Sequence, residues 1–291
     1  MTNIPFKVDL SGEVAVVTGA GGVLCSGFAK ALAACGAKVA VCDLRVDAAE
    51  TVAAEIRAEG GIARAYEMNV LKKESVEACR DAIKADLGTC TLLLNGAGGN
   101  NPKGSTSKDT LTPEDMAALE KDGTIEGVKT FFDLDPDGIS FVFSLNFMGI
   151  LIPTQVFAYD MAKAGRGNVI NISSMNAFRP LTRIPAYSGA KAAVSNFTEW
   201  LAVHFAPVGI RCNAIAPGFF LTNQNRALMT NPDGTPSARC GKILAHTPMG
   251  RLGEADDLTG TLLFLADEGA SGFVDGVVVP VDGGFAAYSG V

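Results

Sequence analysis

The chain has 291 residues, 48% of them hydrophobic, and a formal charge of −7 at pH 7. That length and apolar content can bury a sizeable core, in one large α/β domain or two small ones, and exclude a disordered chain. The acidic balance, with no Lys/Arg-rich run, excludes a phosphate footprint and with it nucleic acid as a partner.

The start, MTNIPFKVDLSGE, has no basic stretch followed by an apolar one, and no apolar run reaches membrane-spanning length. No membrane association is expected, and the cytoplasm is the expected compartment. Seven scattered cysteines, Cys25, Cys35, Cys42, Cys79, Cys90, Cys212 and Cys240, form no Cys-x-x-Cys. They are expected to be reduced core thiols, with neither a disulfide nor a metal site.

From Glu13 the sequence EVAVVTGAGGVLCSGFAKALAACGAKVAVCD gives an apolar strand, a glycine-rich turn, an Ala-rich helix and a second apolar strand, a β-α-β unit. Thr18, Gly19, Gly21 and Gly22 form the turn. Positions without side chains there let a pyrophosphate approach the backbone at the helix N-terminus, where free N–H groups favour anions. Asp43 ends the second strand, about twenty residues on, where a carboxylate can accept hydrogen bonds from an adenosine ribose. The plainer alternative for Asp43 is a cap ahead of the helix VDAAETVAAEIRAEGG.

The alternation continues through a helix from Asp47 to Glu59, a strand IARAYEMNV, a helix in LKKESVEACRDAIKADLG and a strand TLLLNGAG. Strands and helices alternating at this length imply a parallel sheet covered on both faces. Asn69 and Val70 are expected to close the third strand, and Asn95, Gly96, Ala97 and Gly98 the fourth. Both ends should lie beside the adenine and ribose if the first turn holds the pyrophosphate.

Periodicity then breaks. Residues 99 to 137 are polar and rich in Gly, Pro, Asn and Ser, with one short helix expected from Pro113. A connection this long in a compact α/β domain is either disordered or functional, and its place after a strand's carboxyl end favours function. A helix from about Ile139 to Ala164 follows and carries Asn146.

The strand NVINISS delivers Ser173 and Ser174 at its carboxyl end, where ligands bind in open α/β sheets. Tyr187 and Lys191 stand at i and i+4 on the next helix, so both side chains leave one face. An adjacent ammonium favours the phenolate and would bring the tyrosine hydroxyl toward a useful range, which makes Tyr187 a candidate general acid. His204 fits the apolar pattern of the same helix as a packed or surface residue. After the strand IRCNAIAPG comes a second irregular stretch, 219 to 249, a candidate substrate lid. The chain closes with a helix in EADDLTGTLLFLADE, a strand GVVVPVDGG and the tail FAAYSGV, with no internal repeat or linker.

Taken together and in this order, the TG turn, Asp43, NGAG, Asn146, NISS, Tyr187-x-x-x-Lys191 and Pro217-Gly218 resemble the short-chain dehydrogenase/reductase family, from about Leu10 to Gly284. The resemblance implies one Rossmann-type domain over residues 1 to 291, a doubly wound parallel sheet with helices on both faces. It implies Tyr187 as proton donor to a carbonyl, Ser174 as hydrogen-bond donor to the substrate oxygen and Asn146 as holder of a water in the proton path. Lys191 would bind the nicotinamide ribose and lower the tyrosine pKa.

The implied cofactor contacts are Gly19, Gly21, Gly22, Val23, Leu24 and Asp43 in the first unit and Asn69, Val70, Asn95, Ala97 and Gly98 at the next two strand ends. Tyr187, Lys191, Pro217, Gly218 and Thr222 complete them. A homotetramer is implied by the resemblance alone. NAD rather than NADP is expected, because Asp43 would repel a 2′-phosphate, with Arg45 a partial offset. Two departures stand out: Val23 and Cys25 occupy positions where the family has glycine, and Asn69 replaces an aspartate.

A narrower likeness, to the D-mannonate oxidoreductase (fructuronate reductase) branch, rests on TGAGGVLCSG, NGAGGNNPK, KTFFDLD, NISSMNAF, APGFFLTNQNRAL, ILAHTPMGR and PVDGGFAAYSGV. That branch shares Val23 and Cys25. It implies a sugar-acid substrate, with D-fructuronate and D-mannonate interconverted. Such a substrate needs a cation away from Tyr187, for which Lys103, Arg179, Arg183 and Arg226 are candidates. Asn100, Asn101, Asn223 and Gln224 are candidate hydroxyl contacts. The alternatives are a reductase for another sugar acid, polyol or keto-gluconate, and a nicotinamide-binding regulator without catalysis.

Overall fold

The structure, a computed structural model, describes residues 7–221 and 229–290. Seven parallel strands form one sheet in the order β3-β2-β1-β4-β5-β6-β7. They are β1 (Val14–Thr18), β2 (Lys38–Asp43), β3 (Ile62–Glu67), β4 (Leu92–Asn95), β5 (Gly167–Ile172), β6 (Ile210–Pro217) and β7 (Val278–Val281). Helices cover both faces, so a central strand such as β1 is buried along its whole length and reads as continuous apolar sequence. The strand order reverses between β1 and β4. The crevice at their carboxyl ends is therefore where an open sheet of this kind takes a ligand.

Helices α1 (Val23–Ala34), α2 (Val46–Ala58) and Thr259–Ala266 pack on one face, around Phe28, Leu32, Ile56 and Leu262. Helices α3 (Lys73–Asp86), α6 (Gly149–Ala164) and α7 (Pro185–Phe205) pack on the other, around Ile83, Phe157, Met161 and Leu201. Helix α1 stops where Gly36, at φ +97°, adopts a conformation that side chains disfavour; Gly36 N–H donates back to Ala33 O at 2.9 Å and Ala37 N–H to Leu32 O at 3.1 Å. A buried polar ladder crosses the sheet centre: Asn95 Nδ2 donates to Asn171 Oδ1 at 2.9 Å and to Thr154 Oγ1 at 3.0 Å, and Asn171 Nδ2 to Thr198 Oγ1 at 3.0 Å. It fixes β4 and β5 against α6 and α7.

Four expectations need correction. Strand β3 ends at Glu67, because Asn69 instead makes a turn into α3, its Oδ1 accepting from Leu71 N and its N–H donating to Ser75 Oγ, each at 3.0 Å. The long helix begins at Pro136, capped by Asp135, and is split into α5 (Pro136–Phe143) and α6 by a π turn, Ser144–Met148. The closing helix breaks at Asp267, which caps a separate short helix, Glu268–Ser271. Finally, Pro136–Ala164 is long and apolar enough to cross a membrane, with a window of mean hydropathy 1.6. Part of its apolar surface is buried against the fold, 56% of that window, and α6 belongs to the core beside β4 and β5.

The stretch 99 to 137 contains α4 (Pro113–Asp122), opened by a capping box between Thr112 and Asp115, and two single 3₁₀ turns. All seven cysteines are free, and six are buried. Among the described residues no group of three or more His, Cys, Asp or Glu is arranged to hold a metal.

Candidate active site

Ser174 leaves the end of β5 and caps a 3₁₀ turn, Met175–Ala177, its Oγ accepting from Asn176 N–H at 3.2 Å. Since that bond uses a lone pair, the hydroxyl hydrogen stays free to donate. Ser173, its neighbour, faces the other way and meets Ser195 Oγ at 2.7 Å and Lys191 O at 3.2 Å, which is a packing role. Helix α7 starts with Pro185 at its first turn, and Tyr187 sits in that turn, half-buried against Ile139, Val142, Ala186 and Ala190.

One turn on, Lys191 is 4% exposed, with Nζ 5.6 Å from the centre of the Tyr187 ring and donating to Ile172 O at 2.7 Å. Burial holds its ammonium down to about 8. Burial also raises the Tyr187 hydroxyl above its ordinary value, with a hydrogen bond from Ser174 pulling the other way. This corrects the expectation that Lys191 depresses the tyrosine. The ammonium is anchored on a carbonyl, and desolvation is the larger effect on the phenol.

Asn146 explains the π turn. Its Nδ2 donates to Val142 O at 2.8 Å, taking a carbonyl one turn back in the helix, and to Gly99 O at 2.7 Å. Its Oδ1 accepts from Gly99 N–H at 3.2 Å, so the amide clamps the loop after β4. A Cβ on Gly98 would lie 2.7 Å from Asn146 Oδ1 and 3.4 Å from Lys191 Nζ. Gly98, Asn146 and Lys191 therefore meet at one point beside Tyr187.

The glycine turn lies at the neighbouring strand end. Gly19 has φ +67°, and a Cβ there would press on Ala97. Gly21 N–H donates to Asp43 Oδ2 at 3.0 Å, while Asp43 Oδ1 accepts from Arg45 N–H at 3.0 Å. Asp43 thus ties the turn to Arg45, the residue before α2, without capping that helix, whose N-cap is Arg45 with no side-chain cap; this corrects the capping alternative and leaves acceptor sites on both oxygens. Gly22 is the N-cap of α1, with no side-chain cap, and Val23 and Leu24 open the helix partly exposed. Cys25 is buried, its thiol pushed up to about 12 by burial, in the field of Lys191 and Asp43. Thr18 Oγ1 accepts from Gly96 and Ala97 N–H at 3.0 and 3.2 Å, joining this turn to the end of β4.

Not every expected residue reaches the crevice with its side chain. Asn95 is spent in the buried ladder, Val70 packs into the core near Gly149, and Asn69 serves its own turn. Pro217 ends β6, and Gly218 is bare because a Cβ would collide with Asp282. Among the basic candidates, Arg183 is paired with Asp109 at 2.6 Å and Lys103 with Asp135 at 3.4 Å. Arg179 meets Phe178 O at 3.3 Å. Asn100 donates to Ser105 Oγ, and Asn101 caps a 3₁₀ turn. Thr222, Asn223, Gln224 and Arg226 lie outside the described residues. Asp109, which gathers Arg183, Thr182 and Lys242, carried no signal in the sequence.

Residues 13–233 match the family described as short chain dehydrogenase. The chain is 56% identical over 289 residues, 99% of its length and 98% of the relative's, to an uncharacterized oxidoreductase of Haemophilus influenzae. It is 50% identical over 288 residues, 99% and 100% of the two chains, to the uncharacterized oxidoreductase UxuB of Bacillus subtilis. A solved structure, a candidate D-mannonate oxidoreductase from Haemophilus influenza with bound NAD, superposes with a TM-score of 0.91 at 57% identity, covering 99% of this chain and 100% of that one. With a Rossmann-type sheet, a Tyr-x-x-x-Lys helix and these relatives, the chain belongs to the short-chain dehydrogenase family of oxidoreductases.

Proposed function

We propose that the protein interconverts D-fructuronate and D-mannonate with NAD, using Ser174, Tyr187, Lys191 and Asn146. The observation that carries the chemistry is the convergence of Lys191, Asn146 and Gly98 beside Tyr187 and Ser174. The substrate's name rests on the likeness to the candidate D-mannonate oxidoreductase that binds NAD.

The residues fit a dinucleotide. Backbone without side chains at Gly19, Gly21 and Gly22 admits a pyrophosphate, an uncapped α1 offers its free N–H groups, and Asp43 has acceptor capacity for ribose hydroxyls. When bound, NADH supplies the hydride for the ketone carbon. In reduction Tyr187 donates its proton to the ketone oxygen, and Ser174, whose orientation is set by Asn176 N–H, donates a hydrogen bond to the same oxygen. Lys191 spends one N–H on Ile172 O and keeps two for ribose hydroxyls. Asn146 holds the loop after β4 in place and orders water at the tyrosine's side. A regulator without catalysis would need none of these four residues.

We also infer one domain over residues 1 to 291, a homotetramer and a cytoplasmic location. Exposed Tyr159, Trp200, Val203 and Phe273 support subunit contacts, and free thiols support a reducing compartment. The test is NADH consumption with D-fructuronate set against keto-gluconates and neutral ketoses, with the product identified. D-mannonate as product supports the reading. Preference for another sugar acid or a polyol would replace the substrate and leave the family chemistry standing.

A further inference from the structure

Helix α7 carries Tyr187 in its first turn, yet its N-cap, Ile184, has no side chain to bond the free N–H groups there. What fixes the helix entry comes from outside. Thr106 N–H donates to Arg183 O at 3.0 Å, and Asp109 Oδ1 accepts from Arg183 Nε at 2.6 Å and Thr182 Oγ1 at 3.2 Å. The second oxygen of Asp109 accepts from Lys242 Nζ at 3.0 Å, on helix Ala238–Ala245. One carboxylate of the 99 to 137 stretch therefore joins the residues just before the tyrosine helix to a helix of the substrate-side segment.

We propose that Asp109 is a positioning residue: it sets the entry of α7, and so the place of Tyr187, and holds helix Ala238–Ala245 to the same point. The proposal rests on the catalytic role assigned to Tyr187 above. The carboxylate is held at about 2, by hydrogen bonds from Arg183 and then Lys242, so it stays charged throughout the working range. All three groups are partly exposed, and pairs of this kind contribute little to global stability. A reacting group displaced by about 1 Å can nevertheless lose on the order of 10² in rate. The two effects separate a positioning role from a structural one.

The test is a double-mutant cycle on the purified full-length protein with NADH and a ketone that it reduces. Asp109→Ala is expected to lower kcat about tenfold and raise KM, with Tm within about 3 °C of wild type. Lys242→Ala, which frees only the second helix, should raise KM about threefold and leave kcat within about twofold. Because both act through one carboxylate, the double variant should match Asp109→Ala within about twofold. Hydrogen exchange in 185–191 and 238–245 should quicken in Asp109→Ala. That readout needs no substrate, so it still tests the clasp if the sugar-acid reading fails. Should Asp109→Ala not fold, Asp109→Asn, which keeps the shape and removes the charge, carries the same expectations at smaller size. Unchanged kcat, unchanged exchange, penalties that multiply, or a Tm loss above about 8 °C would each overturn the proposal.

Discussion

The thiol of Cys25 fills the space that a side chain on Gly96 would need, so that a Cβ on Gly96 would overlap the sulfur. The same Cβ would lie 2.9 Å from Thr18 O, and Gly96 N–H is bonded to Thr18 Oγ1 at 3.0 Å. The position cannot relax without loosening the turn. The sulfur of Cys25 and the bare backbone of Gly96 thus fit against one another. Gly96→Ala is expected to destabilise the protein by about 1–3 kcal/mol, the usual cost of overpacking, and to weaken NADH binding. Adding Cys25→Gly should recover part of that loss, although Cys25→Gly alone costs about 0.5–1 kcal/mol in helix α1 and more for the buried side chain it removes. Denaturant midpoints of the three variants decide the matter, and a Gly96→Ala protein as stable as wild type would refute the pairing.

A pH effect follows from Lys191. Its ammonium titrates at about 8 rather than near 10.5, whereas burial raises Tyr187. Rising pH removes the lysine proton first, and kcat/KM for ketone reduction should fall as pH passes about 8. Stability runs the other way. Between about 8 and 10.5 the unfolded chain binds more protons at this residue than the folded one, so Tm should rise with pH across that window. Kinetics and melting curves from about pH 6 to 10 check both signs, and a flat kinetic profile would contradict the assignment.

Asp43 links cofactor choice to the glycine turn through Gly21 N–H. Asp43→Ala should lower kcat/KM for NADH more than for NADPH and narrow the preference about tenfold or more, matching the roughly 1.5–3 kcal/mol of a hydrogen bond to a charged group. Initial rates with the two reduced cofactors measure it. An unchanged ratio would remove Asp43 from the ribose site.

Of the described basic candidates for the substrate carboxylate, Arg183 and Lys103 are held by Asp109 and Asp135, which leaves Arg179 as the expected reader. Arg179→Ala should raise KM for a uronate by about tenfold and leave KM for a neutral ketose within about twofold. Equal effects on both substrates would exclude it.

Strand and helix order was legible because each β-α unit alternates buried apolar runs with 3.6-residue periods, and Ser174, Tyr187 and Lys191 were legible because a strand end and an i, i+4 pair are local patterns. Asn146 could be singled out by likeness, but the clamp it places on Gly99, 47 residues away, could not be read from a local pattern. Cys25 stands out in sequence only as a departure from a glycine motif, and its contact with Gly96, just past the end of β4, is a relation between distant segments. Asp109 joins segments 73 and 133 residues distant, a relation no local period encodes. The tyrosine's raised pKa was misjudged for a related reason. Sequence places an ammonium nearby, but only the fold reveals that it is committed to Ile172 O and that burial dominates.

Proton donation by Tyr187, as proposed for carbonyl reduction with NADH, must vanish with its hydroxyl in Tyr187→Phe. With purified protein, NADH and D-fructuronate, the variant should lose on the order of 10² to 10⁴ in kcat, since the substitution removes the proton and leaves Lys191 in place. Its Kd for NADH, measured by fluorescence titration, should stay within about twofold of wild type. Turnover within about threefold of wild type would rule Tyr187 out as the proton donor.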